Sequence, residues 1–234
     1  MKMAVCPHDS TKNKVQWLYF VTYLSEKTGL DITMEQCFDF ECYYKSFPVV
    51  DITYSSPLDA LKLKREMQFE PVAGNDNYDE VVIIAGEAQT ASLEAIDGKK
   101  VLAVENQFAT YLGKKILKEM GIKVELEPVD SWQKVINGVA KGEASYGLVY
   151  KDFWDQLSEL SKRGVRVVYE SDTKLSSHLI MVAPEFVQFK GPILQALESM
   201  PDDEKGTKIL KELRINAWYP VDSLESVEKL VQED

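Results

Sequence analysis

The feature that most constrains this chain is the alternation of segments over residues 97–150. A turn at Asp97-Gly98 leads into the apolar run 101–104, and a polar loop then opens a helical pattern near Gln107. A second helical pattern at 132–139 has apolar residues three and four apart and follows the cap candidates Asp130 and Ser131. Another apolar run comes after it. The segment predicts turn, strand, loop, helix, strand, helix and strand, the order typical of an α/β protein.

A polar loop that enters a helix from a short strand also predicts a chemistry. The first N–H groups of a helix have no intrahelical partner, so a helix start of this kind favours an anion. Here the loop reaches the helix at Phe108, Ala109 and Thr110. The pattern therefore indicates capture of a small molecule.

Charge excludes two other classes of partner. The chain has 234 residues and a net charge of −11, with no basic run longer than a pair of lysines. Nucleic acid and direct membrane insertion are therefore not expected, and no apolar stretch of about 18 residues is present. The acidity still permits an anionic ligand, because local N–H dipoles can hold one. The length allows one large domain or two lobes of about 100 residues.

The amino terminus and the cysteines leave the compartment open. Residues 2–7 read as a core strand that starts at once, so no signal peptide is predicted in this chain. The chain is then either cytoplasmic or a mature form with an added Met. Cys6, Cys37 and Cys42 are an odd number without a CxxC pair, which indicates neither compartment.

Periodicity gives the organisation of the whole chain. The predicted elements of the first part are a strand at 2–7, a helix at 14–27 ended by Gly29, a strand at 31–38, a helix ending near 47–48, a strand at 49–54 and a helix started by Ser55, Ser56 and Pro57. The later ones are strands at 80–85, 165–169 and 176–183 and helices at 153–163, 191–200, 202–213 and 222–232. This order predicts a parallel α/β sheet in each of two lobes.

The domain boundaries follow from the point where the pattern starts afresh. Lobe I is predicted at 1–86 plus 184–234 and lobe II at 87–183, with hinge segments near 86–90 and 176–184. Ligands of such sheets bind beyond the carboxyl ends of the strands, so an interlobe ligand cleft is predicted.

Several short motifs in a fixed order carry a family resemblance. They are Val5-x-Pro7, Val50-Asp51-x2-Tyr54-x2-Pro57-Leu58, Asp97-Gly98-Lys99-Lys100-Val101, Val139-Ala140-x-Gly142-Glu143-Ala144, Ser177-His178 and Trp218-Tyr219-Pro220. Spread over nearly the whole chain, they resemble the substrate-binding proteins of phosphate, phosphite and phosphonate ABC importers. The resemblance implies a type II periplasmic-binding-protein fold: α/β, two-lobed, with a hinge and an interlobe cleft.

The resemblance also implies how a ligand is held, by hydroxyls, a histidine and helix N-termini. The ligand-binding residues that it carries over are Tyr54, Ser55, Ser56, Phe108, Ala109, Thr110, Ser177 and His178. Asp9, Ser10 and Tyr150 join them because they lie at predicted strand ends. The family typically has Ser-Thr-Ser where this chain has Phe108-Ala109-Thr110, so an uncharged or differently shaped ligand stays open.

Simpler interpretations accompany these assignments. His178 can be a packing histidine, and Ser55 and Ser56 can be a strand end and a helix cap. Cys6 and His8 are close enough in sequence to share a metal, but further ligands are not evident and Cys37-x4-Cys42 fits no common zinc spacing. No metal and no cofactor is therefore predicted, and buried or incidental cysteines are the default.

The function predicted is that of a non-catalytic, monomeric solute-binding protein. It captures a small oxyanion by hinge closure and, by resemblance, delivers it to the permease of an ABC importer outside the cytoplasm. One alternative is a ligand-sensing module for a partner such as a sensor kinase, with oxyanion or arsenite sensing through a thiol. Another is a cytoplasmic enzyme on the same fold, with His178 and Asp152 as its acid and base.

Overall fold

A computed structural model describes residues 1–37 and 39–232. Its strands are β1 (Lys2–Val5), β2 (Thr33–Glu35), β3 (Ile52–Ser55), β4 (Glu70–Tyr78), β5 (Val81–Gly86), β6 (Lys100–Val104), β7 (Glu125–Val129), β8 (Tyr146–Tyr150), β9 (Val165–Glu170), β10 (Ser177–Val182) and β11 (Trp218–Pro220). Its α-helices are α1 (Pro7–Ser10), α2 (Lys14–Thr28), α3 (Phe40–Ser46), α4 (Pro57–Met67), α5 (Phe108–Glu119), α6 (Trp132–Lys141), α7 (Lys151–Asp155), α8 (Lys190–Glu198), α9 (Glu204–Leu213) and α10 (Glu225–Gln232). Among the described residues, none of these helices has the length and apolarity needed to cross a bilayer.

The chain divides into two compact units. Unit 1 comprises Met1–Tyr78 and Ser176–Val227, and unit 2 comprises Asp79–Leu175 together with residues 228–232. The boundaries predicted at 86 and 184 differ from these. Strand β5 pairs with β8 and β9 and so belongs to unit 2, whereas β10 pairs with β3 and β4 and so belongs to unit 1.

The sheet of unit 1 is mixed, in the order β11-β4-β10-β3-β1-β2. Strand β1 runs parallel to β2 and β3, as the alternation of strands and helices predicts. Strands β10, β4 and β11 add antiparallel pairs, so the prediction of a wholly parallel sheet was wrong. The sequence pattern misses β4 because its second half, Gly74 to Tyr78, is polar and lacks the apolar run of a core strand.

Helix α2 supplies much of the core of unit 1. It buries its large side chains at Trp17, Phe20, Tyr23 and Leu24. Gly29 follows it with a φ of +70°, in the left-handed region that glycine enters without a steric penalty. Both the helix and its glycine end confirm the sequence prediction.

Unit 2 has a five-stranded sheet in the order β7-β6-β8-β5-β9. Helix α6 packs against it through Val135, Ile136 and Val139, all fully buried. Ser131 caps this helix by accepting a hydrogen bond from the N–H of Lys134, as the sequence predicts.

The helix predicted over 153–163 was wrong. Helix α7 covers only Lys151–Asp155, and turns occupy the rest. Leu160 is 76% exposed, so a longer helix has no apolar contact to gain there. The hydroxyl of Ser158 also accepts a hydrogen bond from the N–H of Ser161, and local bonds of this kind compete with helix formation.

Candidate functional site

Three side chains of different chemistry meet at the carboxyl end of β1, in unit 1. The N–H of Cys6 donates to the carbonyl of Tyr54 over 2.9 Å, which holds Cys6 beside β3. The N–H groups of Asp9 and Ser10 both donate to the carbonyl of Cys6, over 3.0 and 2.9 Å. The short helix α1 therefore folds Asp9 back beside Cys6.

His178 approaches the same point from β10. The pairing of β10 with β4 shifts register between Ser177 and Leu179, and an irregularity of this kind re-aims the side chain within it. The Nε2 atom of His178 lies 3.5 Å from a carboxylate oxygen of Asp9, and its side chain is only 8% exposed. Its ring centroid lies 5.2 Å from that of Tyr54.

A second carboxylate, that of Asp59, adds negative charge near His178. Asp59 lies in the first turn of α4 and accepts a hydrogen bond of 2.8 Å from the hydroxyl of Ser56, which caps the helix. Burial raises the pKa of Asp59, while the Ser56 hydrogen bond and His178 act in the opposite direction. The surroundings of His178 are therefore acidic, which opposes an anion there.

Cys6 is a buried free thiol, and its protonation can be tested. Burial raises the pKa of this thiol above its ordinary value of 9.0, and the hydrogen bond with His178 only partly offsets the rise. The folded chain therefore gains stability from holding the Cys6 thiol protonated. This gain is complete below pH 9.0 and is lost as the pH rises through the folded-state pKa.

We expect iodoacetamide, with chelator present, to alkylate Cys6 slowly at pH 8 and faster as the pH rises, because the thiolate is the nucleophile. The measurement is the alkylation rate by mass spectrometry, with the urea-unfolded chain as reference. Equal rates for the folded and unfolded chains at pH 8 would contradict the buried, protonated state.

Several predicted contacts use their hydroxyls inside unit 1. The Tyr54 hydroxyl accepts a hydrogen bond from the side-chain amide of Asn75 over 2.8 Å. The Ser55 hydroxyl, fully buried, donates to Thr53 over 2.7 Å and also contacts the hydroxyl of Tyr43. Both hydroxyls are therefore bonded to other side chains inside unit 1.

Ser177 and Ser10, two further predicted contacts, are also buried. The hydroxyl of Ser177 accepts from the N–H of Asn75 over 3.0 Å and contacts the hydroxyl of Tyr219. The hydroxyl of Ser10 has no hydrogen-bond partner among the described residues. Ser177 therefore has structural bonds of its own, whereas Ser10 lies beside Asp9 at the end of α1.

The predicted contacts of unit 2 lie at two places. Phe108, Ala109 and Thr110 form the buried first turn of α5, whose N-cap residue, Gln107, makes no side-chain capping bond. The hydroxyl of Thr110 donates to the carbonyl of Val104 over 2.7 Å, which ties the turn to the end of β6. This leaves backbone N–H groups, rather than hydroxyls, as the donors of the turn.

Tyr150 lies at the end of β8. Its hydroxyl donates to a carboxylate oxygen of Asp79 over 3.1 Å, within unit 2. Asp152 lies just beyond it in the first turn of α7, where an acidic residue is favourable.

The sequence did not predict two features of the structure, a disulfide and a second carboxylate near His178. Cys37 and Cys42 form a disulfide across five positions, which corrects the view that they are incidental. It also missed Asp59 beside His178, because β3 and β10 come together only in the folded sheet. The Ser-x-x-Asp spacing at Ser56, a capping signal, was the only local indication of Asp59.

Solved structures with the same architecture show which fold this chain has. PhnD1 from Prochlorococcus marinus, in complex with methylphosphonate, is 11% identical, with 100% of this chain and 97% of that chain covered and a TM-score of 0.78. A binding protein component of an ABC phosphonate transporter from Pseudomonas aeruginosa is 14% identical, with 99% and 85% covered and a TM-score of 0.73. The aliphatic sulphonate binding protein SsuA from Escherichia coli is 10% identical, with 99% and 82% covered and a TM-score of 0.67. The fold is that of a type II periplasmic binding protein, as predicted.

The family is given by the sequence itself. Residues 3–225 match the family described as ABC transporter, phosphonate, periplasmic substrate-binding protein, and this chain belongs to that family. No curated protein matches the chain. Membership makes the chain a solute-binding protein and not an enzyme, and implies a small-molecule ligand, an ABC permease as partner and an extracytoplasmic location.

Proposed function

We propose that this protein captures a small oxyanion of the phosphate, phosphite or phosphonate type for an ABC importer. The observation that carries the proposal is the family match over residues 3–225. It is supported by the methylphosphonate complex of PhnD1, a protein of the same fold.

The first turn of α5 is the proposed anion-holding element. Its N-cap makes no side-chain bond, and the N–H of Thr110 already donates to the carbonyl of Gln107. The N–H groups of Phe108 and Ala109 are therefore the proposed donors to the ligand, at a helix start where the dipole favours negative charge. His178 is not proposed as an oxyanion donor, because the carboxylates of Asp9 and Asp59 lie near it. The ligand is then held mainly by backbone donors, which suits a turn that has lost two hydroxyls.

Calorimetric titration with phosphate, phosphite, methylphosphonate and sulfate tests the proposal. We expect one of the phosphorus oxyanions to bind, and the first-turn variant Ala109→Pro to weaken it. Proline is tolerated in a first turn but removes one N–H, and a hydrogen bond to a charged group is worth about 1.5–3 kcal/mol, or about ten- to a hundredfold in Kd.

The matched control is Ala109→Ser, which enlarges the side chain but keeps the N–H. A similar loss in both variants would attribute the effect to packing and contradict the role of the backbone donor. Failure of all three phosphorus oxyanions to bind would contradict the proposal that the ligand is an oxyanion of this type.

Delivery to a permease, rather than signalling to a sensor kinase, is the proposed use of the ligand. The Cys37–Cys42 disulfide supports an extracytoplasmic site of action, because disulfides persist in oxidising compartments. The test is ligand-dependent stimulation of the ATPase of the reconstituted ABC transporter that this protein serves. Stimulation of a sensor kinase in place of the ATPase would favour the sensing alternative.

A further inference from the structure

We propose that Cys6, Asp9 and His178 form a binding site for a zinc-type transition-metal ion. The site lies wholly in unit 1 and goes beyond the proposed capture of an oxyanion. It also revises the expectation that the chain binds no metal, which rested on the lack of further ligands near Cys6 and His8 in the sequence.

The distances between the donor atoms are close to those of a metal site. One donor atom from each residue, the Cys6 sulfur, an Asp9 carboxylate oxygen and a His178 ring nitrogen, lies within 4.8 Å of the other two. Tetrahedral bonds of about 2.0–2.3 Å place ligand atoms about 3.5 Å apart, so contraction by about 1 Å completes the geometry. The Asp9–His178 distance is already 3.5 Å.

The three donors suit one class of ion. Thiolate, imidazole and carboxylate are together the ligands of zinc and its neighbours, whereas magnesium and calcium require oxygen ligands throughout. On binding, the Cys6 thiol releases its proton to solvent and its sulfur coordinates the ion. The thiolate and the Asp9 carboxylate then carry two negative charges, which balance a divalent cation in a buried place.

The surroundings favour a cation in a second way. Asp59 adds another carboxylate near His178, and its electrostatic interactions reach both His178 and Cys6. A cation at the three donors relieves the repulsion among these acidic groups, whereas an anion would add to it.

The ligands are also held in place before an ion arrives. The backbone bonds of Asp9 and Ser10 to the Cys6 carbonyl fix α1, and the register shift in β10 fixes the direction of His178. Cys6 and His178 are buried, while the Asp9 side chain is 26% exposed. Asp9 is therefore the most exposed of the three ligands, and we place the entry of the ion, with water as a fourth ligand, on its side.

Titration of the full, chelator-treated chain with Co²⁺ tests the site. The Cys37–Cys42 disulfide is kept intact, so that Cys6 is the one thiol among the three cysteines. We expect one Co²⁺ per chain, a thiolate-to-cobalt charge-transfer band, and loss of the band when Zn²⁺ displaces the cobalt. Cys6→Ser should abolish the band. His178→Ala should weaken binding at least about tenfold, the scale seen when even an outer partner of a metal site is lost.

The matched control is His8→Gln, which removes the only other histidine and should leave the Co²⁺ band unchanged. A second readout needs no variant: saturating Zn²⁺ should protect Cys6 of the unaltered chain from iodoacetamide. Cobalt binding without a thiolate band, or alkylation unchanged by Zn²⁺, would overturn the proposal. All of these measurements omit oxyanions, so their outcome is independent of whether phosphate or phosphonate binds.

Discussion

Replacing Gly206 by alanine is expected to destabilise the protein by about 3 kcal/mol, the upper part of the range for overpacking. Gly206 lies in α9, where a Cβ atom would collide with the carbonyl oxygen of Met200 and would fall 2.8 Å from its Cα. These atoms belong to backbone, in a 3₁₀ helix at Met200–Asp202, and cannot rotate away as a side chain can. The change therefore forces α9 away from that segment in the core of unit 1.

The measurement is the free energy of unfolding in urea, with Gly191→Ala as the matched control. Gly191 lies in α8, and a Cβ atom there would have no atom within 4 Å. Alanine should stabilise that helix by about 0.4–1 kcal/mol, because it reduces the freedom of the unfolded chain. A loss of unfolding free energy below about 1 kcal/mol in Gly206→Ala would contradict this expectation. It would mean that the Met200 segment moves aside to make room for the new methyl group.

Local signals carried most of the fold prediction. Helices α2 and α6 were predicted because apolar spacing and an end signal agree, with Gly29 ending one and Ser131 starting the other. Strand β4 was missed because it is a half-polar strand that only its neighbours β10 and β11 stabilise. The unit boundaries shifted for the same reason, since sheet membership depends on partners distant in the sequence.

The candidate site shows the same division. The start of α5 at Phe108 was predicted from its local pattern of strand, polar loop and helix, and its role in holding a ligand stays a prediction. Cys6 and His178 are 172 positions apart in the chain and come together only because β10 inserts beside β3 in the sheet of unit 1. Spacing rules for metal sites act over short segments, so they cannot detect such a pair.

The second large effect is expected at Glu80, a carboxylate that is only 5% exposed in unit 2. It accepts hydrogen bonds from the hydroxyls of Ser171 and Thr173 and, over 2.6 Å, from the N–H of Lys174. Lys174 has a φ of +51°, a left-handed conformation that costs a non-glycine residue energy and is held here by that bond. We expect Glu80→Ala to destabilise unit 2 by about 3 kcal/mol, because it leaves these donors without their charged acceptor.

The position of Glu80 predicts where the destabilised Glu80→Ala variant becomes open to proteolysis. It lies just after the first crossing of the chain between units, at Tyr78–Asp79, and its partners lie just before the second, at Leu175–Ser176. Its bonds therefore fasten the two crossing segments to each other within unit 2. Glu80→Ala should expose residues 171–175 to limited proteolysis as well as lower the free energy of unfolding, whereas Glu87→Ala, at an exposed site of the same unit, should do neither. Destabilisation without new cleavage at 171–175 would show that Glu80 contributes packing alone and does not fasten the crossing segments.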